Sequence, residues 1–115
     1  MVASVDKAPY VAAKHGLVGL TKVVALETAT YGITCNALCP GYADTPLIRD
    51  QIEVRVKHEG STREAATAAI LREKQPSLAF INPGQIGETV VFLCSPAAAA
   101  ITGSAIPIDG GWVAQ

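Results

Sequence analysis

Gly32-Ile33-Thr34-Cys35-Asn36-Ala37-Leu38-Cys39-Pro40-Gly41 is the stretch whose reading decides the fold. Up to Cys39, only Thr34 and Asn36 interrupt its apolar character. A short, nearly continuous apolar run is the pattern of a strand buried on both faces, as in a parallel sheet. Residues 32–39 are therefore predicted as a strand, with Pro40-Gly41 closing it. Before it, residues 9 to about 31 carry a strong helical pattern: Ala12, Ala13, Leu17, Leu20, Val24 and Ala25-Leu26 recur at helical spacing. Pro9 suits the first helical position, where a missing N–H costs nothing. Gly32, after Tyr31, suits the left-handed residue that ends a helix. Gly16 and Gly19 weaken the helix interior, and small residues there let another helix approach closely.

Beyond Gly41 a loop runs through Thr45-Pro46, and residues 47–58 read as helical. Ser61 with Glu64 suggests a capping box for a helix ending near Lys74. A Pro-bearing loop over 75–81 leads to Asn82-Pro83-Gly84-Gln85, a helix start with an Asn cap and Pro first. That helix carries Ile86, Val90, Val91, Leu93 and Cys94 and stops at Ser95-Pro96. The alanines over 97–100 form a connector or helical turn. Residues 104–109 read as a last strand, in which Pro107 implies an edge or a bulge. Gly110-Gly111-Trp112 turns out of it. The order is helix, strand, helices, strand. Two strands joined by a helical crossover make a parallel, right-handed unit, and such a sheet needs more strands and helices on both faces. The expected fold class is α/β: the carboxyl-terminal half of a doubly wound parallel sheet, with residues 1–115 forming part of a single domain and the first strand's edge exposed and aggregation-prone.

Composition supports this reading. Of 115 residues, 50% are hydrophobic, 17% charged and 5% aromatic, and the mean hydropathy is +0.31. A chain this size buries about two-thirds of its unfolded surface and has room for one core. The excess of apolar surface implies an oligomer or a piece of something larger. No apolar run approaches the roughly 18 residues of a membrane span, and a net charge of −1 excludes a strongly basic nucleic-acid binder. The first residues carry no basic region followed by an apolar core, so a cytoplasmic protein is expected. Cys35 and Cys39, four apart in a strand, would be about 13 Å apart, too far for a disulfide. They read as small buried hydrophobes, and with Cys94 they form no metal-ligand spacing.

Tyr10 and Lys14 are four apart at the start of the long helix and so share a face. An ammonium close to a phenol favours the phenolate, and a phenolate can take a proton from an alcohol. Alone, Y-x-x-x-K also fits a surface tyrosine with a solvated lysine. Its context is more specific. Tyr10-Val11-Ala12-Ala13-Lys14-His15-Gly16 leads through a helix to a strand ending Asn36-Ala37-Leu38-Cys39-Pro40-Gly41. Thr45-Pro46-Leu47 follows, and Thr102-Gly103 and Asp109-Gly110-Gly111 close the chain. This ordered set resembles the carboxyl half of the short-chain dehydrogenase/reductase family over essentially the whole chain. A closer likeness, to members acting on short 3-hydroxy acids, is carried by Lys7, Gln51, Glu73-Lys74-Gln75-Pro76-Ser77 and Asp109-Gly110-Gly111-Trp112-Val113-Ala114-Gln115.

The resemblance implies a Rossmann-type sheet and NAD-dependent oxidation of D-3-hydroxybutyrate to acetoacetate. It makes Tyr10 the general acid/base and Lys14 its partner, both also contacting cofactor. Pro40, Gly41, Ala43, Thr45 and Leu47 would line the nicotinamide pocket, with Ala43 backbone groups and the Thr45 hydroxyl holding the carboxamide. Lys7 and Gln51 would bind the substrate carboxylate. Tyr42, where the family often carries Trp, would form an aromatic wall with Trp112, the latter from a neighbouring subunit or a closing segment. A homo-oligomer, a tetramer, is implied, with no metal, nucleic-acid or membrane partner. The family's glycine-rich phosphate loop, its acidic cofactor-selecting residue and its catalytic serine have no counterpart here; Ser4 is too close to Tyr10. The isolated chain is therefore expected to be inactive. Two alternatives stand beside this reading: another short-chain reductase of secondary alcohols or sugars, and a non-enzymatic chain whose helix 9–31 serves only for oligomerisation. Outside the resemblance, His15 reads as structural or interfacial, and His58 as a solvated residue near a helix end.

Overall fold

A computed structural model of the chain describes residues 3 and 5–114; Ser4 and Gln115 lie outside the described residues. Helix α1 spans Ala8–Thr28, strand β1 Ala37–Pro40, α2 Pro46–Glu59, α3 Arg63–Lys74, α4 Pro83–Leu93 and β2 Ala105–Ile108, with single 3₁₀ turns at Ala29–Tyr31, Pro96–Ala98 and Trp112–Ala114. β1 and β2 form a two-stranded sheet. The Ala37 N–H donates to Ser104 O and the Gly41 N–H to Ile108 O, both at 2.9 Å. The register advances in the same direction on both strands, so they are parallel. The chain divides into two compact units, residues 1–39 with 88–107 and residues 40–87 with 108–115.

In the first unit, α1 starts at Ala8, one residue before the expected start, so Pro9 is its second residue, and the Val11 N–H donates to Lys7 O at 2.8 Å. It buries Val18, Thr21 and Ala25, a narrow stripe at spacings of three and four. The Thr21 and Thr28 hydroxyls turn back onto the carbonyls of Leu17 and Val24. Gly32 ends the helical segment at φ 69°, in the left-handed region its position calls for. Apart from the helix's own backbone, no described atom lies within 4 Å of a Cβ built on Gly16 or Gly19.

The first strand is shorter than the sequence pattern implies. Residues 32–36 lie outside it, and Pro40 belongs to it. The reason is side-chain competition for backbone partners. The Cys35 N–H donates to the Thr102 hydroxyl at 3.1 Å. The Asn36 amide donates to Ile101 O at 2.7 Å and accepts from the Ser104 N–H at 3.1 Å. These side chains occupy places that a longer ladder would use. Nor is the strand buried on both faces: Ala37, Leu38 and Cys39 are half-buried and Pro40 is exposed, because among the described residues the sheet has no third strand. The strand spacing assumed for Cys35 and Cys39 falls with the strand boundary. Both are half-buried free thiols, and Cys94 is exposed.

In the second unit, α2 and α3 fold around their own core. Ile48 and Ile52 meet Ala66 and Ile70, and Tyr42, Val56 and Phe80 pack against them. Each buried isoleucine contributes about 1.5–3 kcal/mol. Arg55 bridges Glu59 and Glu73, both at 2.8 Å, and Arg63 meets Glu53 at 2.9 Å. The cap of α3 is Thr62, whose hydroxyl accepts from the Ala65 N–H. It is not the Ser61 of the expected capping box; the Ser61 hydroxyl is buried without a partner. Thr62 is extended, so the helix starts one residue later and Glu64 falls at its second position, where its charge complements the helix dipole. The start of α4 follows the sequence: Asn82 Oδ1 accepts from the Gly84 N–H at 2.8 Å, and Gln85 Oε1 reaches back to the Asn82 N–H at 2.9 Å.

Candidate functional site

Tyr10 and Lys14 lie in the first turns of α1. Tyr10 is 61% exposed, and Lys14 Nζ stands 5.6 Å from the centre of its ring. The four-residue spacing thus brings the pair together as the helix period requires. Lys7, just ahead of the helix, is exposed and uses its carbonyl, not its side chain, at the helix start. His15 Nδ1 donates to Val11 O at 2.9 Å, a local structural contact. A cavity of about 610 Å³ opens beside the helix start, lined by Ala3, Asp6, Ala8, Pro9 and Val11. None of the expected site side chains lines it.

The second unit holds the remaining candidates. As β1 ends, Gly41 runs close to other backbone: a Cβ there would sit 2.6 Å from Gln75 Oε1 and 2.9 Å from Asp109 Cα. Only glycine fits without displacing one of them. The next segment pairs in parallel with Ile81. The Asp44 N–H donates to Ile81 O at 3.0 Å, and the Ile81 N–H to Tyr42 O at 2.9 Å. Since both neighbours of Ala43 point toward Ile81, the N–H and C=O of Ala43 point to the opposite side. Thr45 precedes α2 in an extended conformation, and its side chain makes no capping bond. An amide-like donor and acceptor and a hydroxyl uncommitted to the helix thus stand two residues apart. That set fits a carboxamide.

Leu47 and Gln51 are both exposed and one helical turn apart on α2, next to the buried stripe of Ile48 and Ile52. Asp44 and Arg49 form a two-pronged pair at 2.8 and 3.0 Å that ties the loop to the helix. The hydrogen bond from Arg49 holds the Asp44 carboxyl below its ordinary range.

Trp112 packs on Tyr42 of the same chain, with ring centres 5.4 Å apart and planes tilted by 38°. Lys74 Nζ lies 4.9 Å from the Trp112 ring centre, so an ammonium and a phenol ring both contact the indole. Burial, then the nearby Glu73 carboxylate, push the Tyr42 phenol above its ordinary pKa, with Arg55 opposing. Tyr42 therefore stays neutral near pH 7 and does not act as a base there.

Two residues without an expected role organise this unit. Gln75 is fully buried. Its Oε1 accepts from the Tyr42 N–H at 2.8 Å, and its Nε2 donates to Ala79 O. Asp109 is buried as well, and its carboxylate accepts from the N–H groups of Gly111 at 3.0 Å and Val113 at 3.1 Å. This fixes the turn that presents Trp112, with Gly110 and Gly111 at φ 60° and 94°. The sequence signals were the glycines following each strand, Gly41 and Gly110; their need for close approach becomes visible only with Gln75 between them. Among the described residues there is no cluster of three or more His, Cys, Asp or Glu suited to a metal, and no helix long and apolar enough to cross a membrane.

A family model described as enoyl-(acyl carrier protein) reductase matches residues 1–113. With the Tyr10–Lys14 pair, the strand-end loop and the parallel sheet, this match defines the class: the chain belongs to the short-chain dehydrogenase/reductase family. In particular, it is 52% identical over all 115 residues to the D-beta-hydroxybutyrate dehydrogenase of Cupriavidus necator. It is 45% identical, again over all 115 residues, to the protein of the same name from Rhizobium meliloti. The chain spans 45% of the length of each. Its fold matches a short-chain dehydrogenase family protein from Francisella tularensis with a TM-score of 0.91 and 35% identity, over 100% of this chain and 47% of that one. It also matches the F189W actinorhodin polyketide ketoreductase, solved with NADPH, with a TM-score of 0.85 and 38% identity over 96% of this chain and 42% of the other. The α/β, Rossmann-like architecture is thereby established as part of a larger family fold.

Proposed function

We propose that this chain is the proton-transfer and nicotinamide-side half of an NAD-dependent 3-hydroxybutyrate dehydrogenase. The observation that carries the reading is the Tyr10–Lys14 pair at the start of α1, in a chain 52% identical to a protein of that name. Bound NAD would supply the hydride acceptor. The chain's own residues do the rest. The Tyr10 phenolate oxygen accepts the proton of the C3 hydroxyl as general base, with Lys14 one helical turn away on the same face. Ala43 backbone groups and the Thr45 hydroxyl orient the carboxamide, which selects the face presented to the substrate. Lys7 and Gln51 bind the carboxylate, and Tyr42 with Trp112 closes the apolar side around a short acyl chain. The apolar side chains of Leu17, Leu20, Val23 and Leu26 lie exposed on α1; they fit the subunit contacts of a cytoplasmic homotetramer.

Replacing the matching segment of the Cupriavidus necator protein with these 115 residues tests the reading. The hybrid is expected to oxidise D-3-hydroxybutyrate with NAD in preference to a panel of secondary alcohols and sugars, while the 115-residue chain alone gives no turnover. A folded hybrid that prefers another alcohol overturns the substrate assignment. Light scattering of the hybrid checks the tetramer, and a monomer or dimer contradicts it.

A further inference from the structure

We infer that Gln75 is the positioning residue of the Tyr42–Trp112 wall. It is the largest fully buried side chain among the described residues, and it is polar. Such a group stays buried only where its donor and acceptor are both matched. Here the acceptor is used by the peptide N–H of Tyr42 and the donor by Ala79 O. One amide thus fixes the backbone of the residue that stacks on Trp112. The same side chain lies against both ends of the site. A Cβ on Gly41 would run into its oxygen at 2.6 Å, and a Cβ on Gly110 would lie 2.8 Å from its Cγ. Next to it, the Ser77 N–H donates to Gly110 O at 2.9 Å, joining the loop after α3 to the turn that carries Trp112. Gln75 itself also closes α3, with its N–H on Leu71 O at 2.7 Å. Its backbone is therefore anchored while its side chain reaches into the site. The residue touches neither expected cofactor nor substrate groups; it acts through Tyr42.

The role in substrate fit rests on the proposed function, whereas the positioning does not, and the two are tested separately. Trp112 is the only tryptophan of the chain, so its fluorescence reports the wall directly. Gln75→Met keeps the volume and removes both hydrogen bonds. In the 115-residue chain it is expected to raise the acrylamide quenching constant of Trp112 about twofold by loosening the local structure, with the far-ultraviolet circular dichroism retained. Gln75→Glu keeps an acceptor for the Tyr42 N–H and is expected to fall between Met and the unmodified chain. Leu71→Ala, which removes buried apolar contact without touching the amide, is expected to leave the quenching unchanged. Equal quenching in all four chains, or an effect of Leu71→Ala as large as that of Gln75→Met, overturns the inference. A measurement on the unmodified chain stands independently of folding in the variants: the Tyr42 amide is expected to exchange with solvent as slowly as the amides of α3, and exchange at the rate of an open loop overturns the inference. In the hybrid enzyme, Gln75→Met is expected to raise KM for D-3-hydroxybutyrate with kcat little changed. An altered Trp112 signal with an unaltered KM keeps the positioning role and removes the Tyr42–Trp112 wall from the proposed substrate site.

Discussion

Helix α1 and the α2–α3 pair make opposite use of hydrophobicity. α1 is the more apolar, yet of its 21 residues it buries only Val18, Thr21 and Ala25, and Leu26 is 80% exposed. α2 and α3 carry most of the chain's charged side chains and still build a closed cluster from Ile48, Ile52, Ala66 and Ile70. The difference shows that apolar content alone does not make a core. Burial needs a second surface of matching shape, and α2 and α3 supply one to each other. The unburied face of α1 carries part of the apolar excess of the composition, and Val90, Val91 and Phe92 of α4 are exposed as well.

The sharpest way to break that contrast is to truncate one side chain on each side of it. Ile52→Ala is expected to cost about 2–5 kcal/mol, because it removes buried methyl groups and leaves a cavity. Leu26→Ala in the isolated chain is expected to stay within about 0.5 kcal/mol, as at any surface position. Urea titrations followed by Trp112 fluorescence and by circular dichroism compare them. Equal costs would show that Leu26 is packed against another surface in solution.

A smaller effect separates two adjacent residues at the start of α3. Thr62→Ala is expected to cost about 1 kcal/mol by stripping the Ala65 N–H of its acceptor. Ser61→Ala is expected to be neutral or mildly stabilising, since its buried hydroxyl has no partner to lose. The same titrations decide it, and a larger loss at Ser61 would move the cap back to the expected capping box.

The smallest effect is electrostatic. The folded Asp44 carboxyl is held below its unfolded value by Arg49. Its contribution is therefore fully present above the ordinary aspartate pKa and is lost as the pH falls through the lowered, folded value. Asp44→Asn should flatten the acid side of the stability profile only slightly, because both partners are exposed and solvent screens them. A steep loss at neutral pH would mean that the pair does more than tether the loop.

What was legible in the sequence was local. Pro9 sits in the first turn of α1, Gly32 turns out of its end, and Asn82 and Gln85 cap α4, because each signal acts on its own backbone within a few residues. The start of β1 was not legible. Asn36 and Thr102 are more than sixty residues apart in sequence, and only folding brings their side chains onto each other's segments. The same holds for the site. The Y-x-x-x-K spacing places Tyr10 and Lys14 on one face without help from the rest of the chain. Gln75, in contrast, reads as one polar residue in a Pro-bearing loop until Tyr42, Ala79 and Gly110 close around it.

The central claim, that Tyr10 is the proton-transferring group of a 3-hydroxy-acid dehydrogenase, is tested most directly by NAD reduction with D-3-hydroxybutyrate in the hybrid enzyme carrying Tyr10→Phe. The change keeps the ring that Lys14 overlies and removes only the hydroxyl. A fall in kcat of about 10²–10⁴-fold is expected, the usual worth of a positioned acid/base, with the fold intact. Turnover within a few-fold of the unmodified hybrid would contradict it.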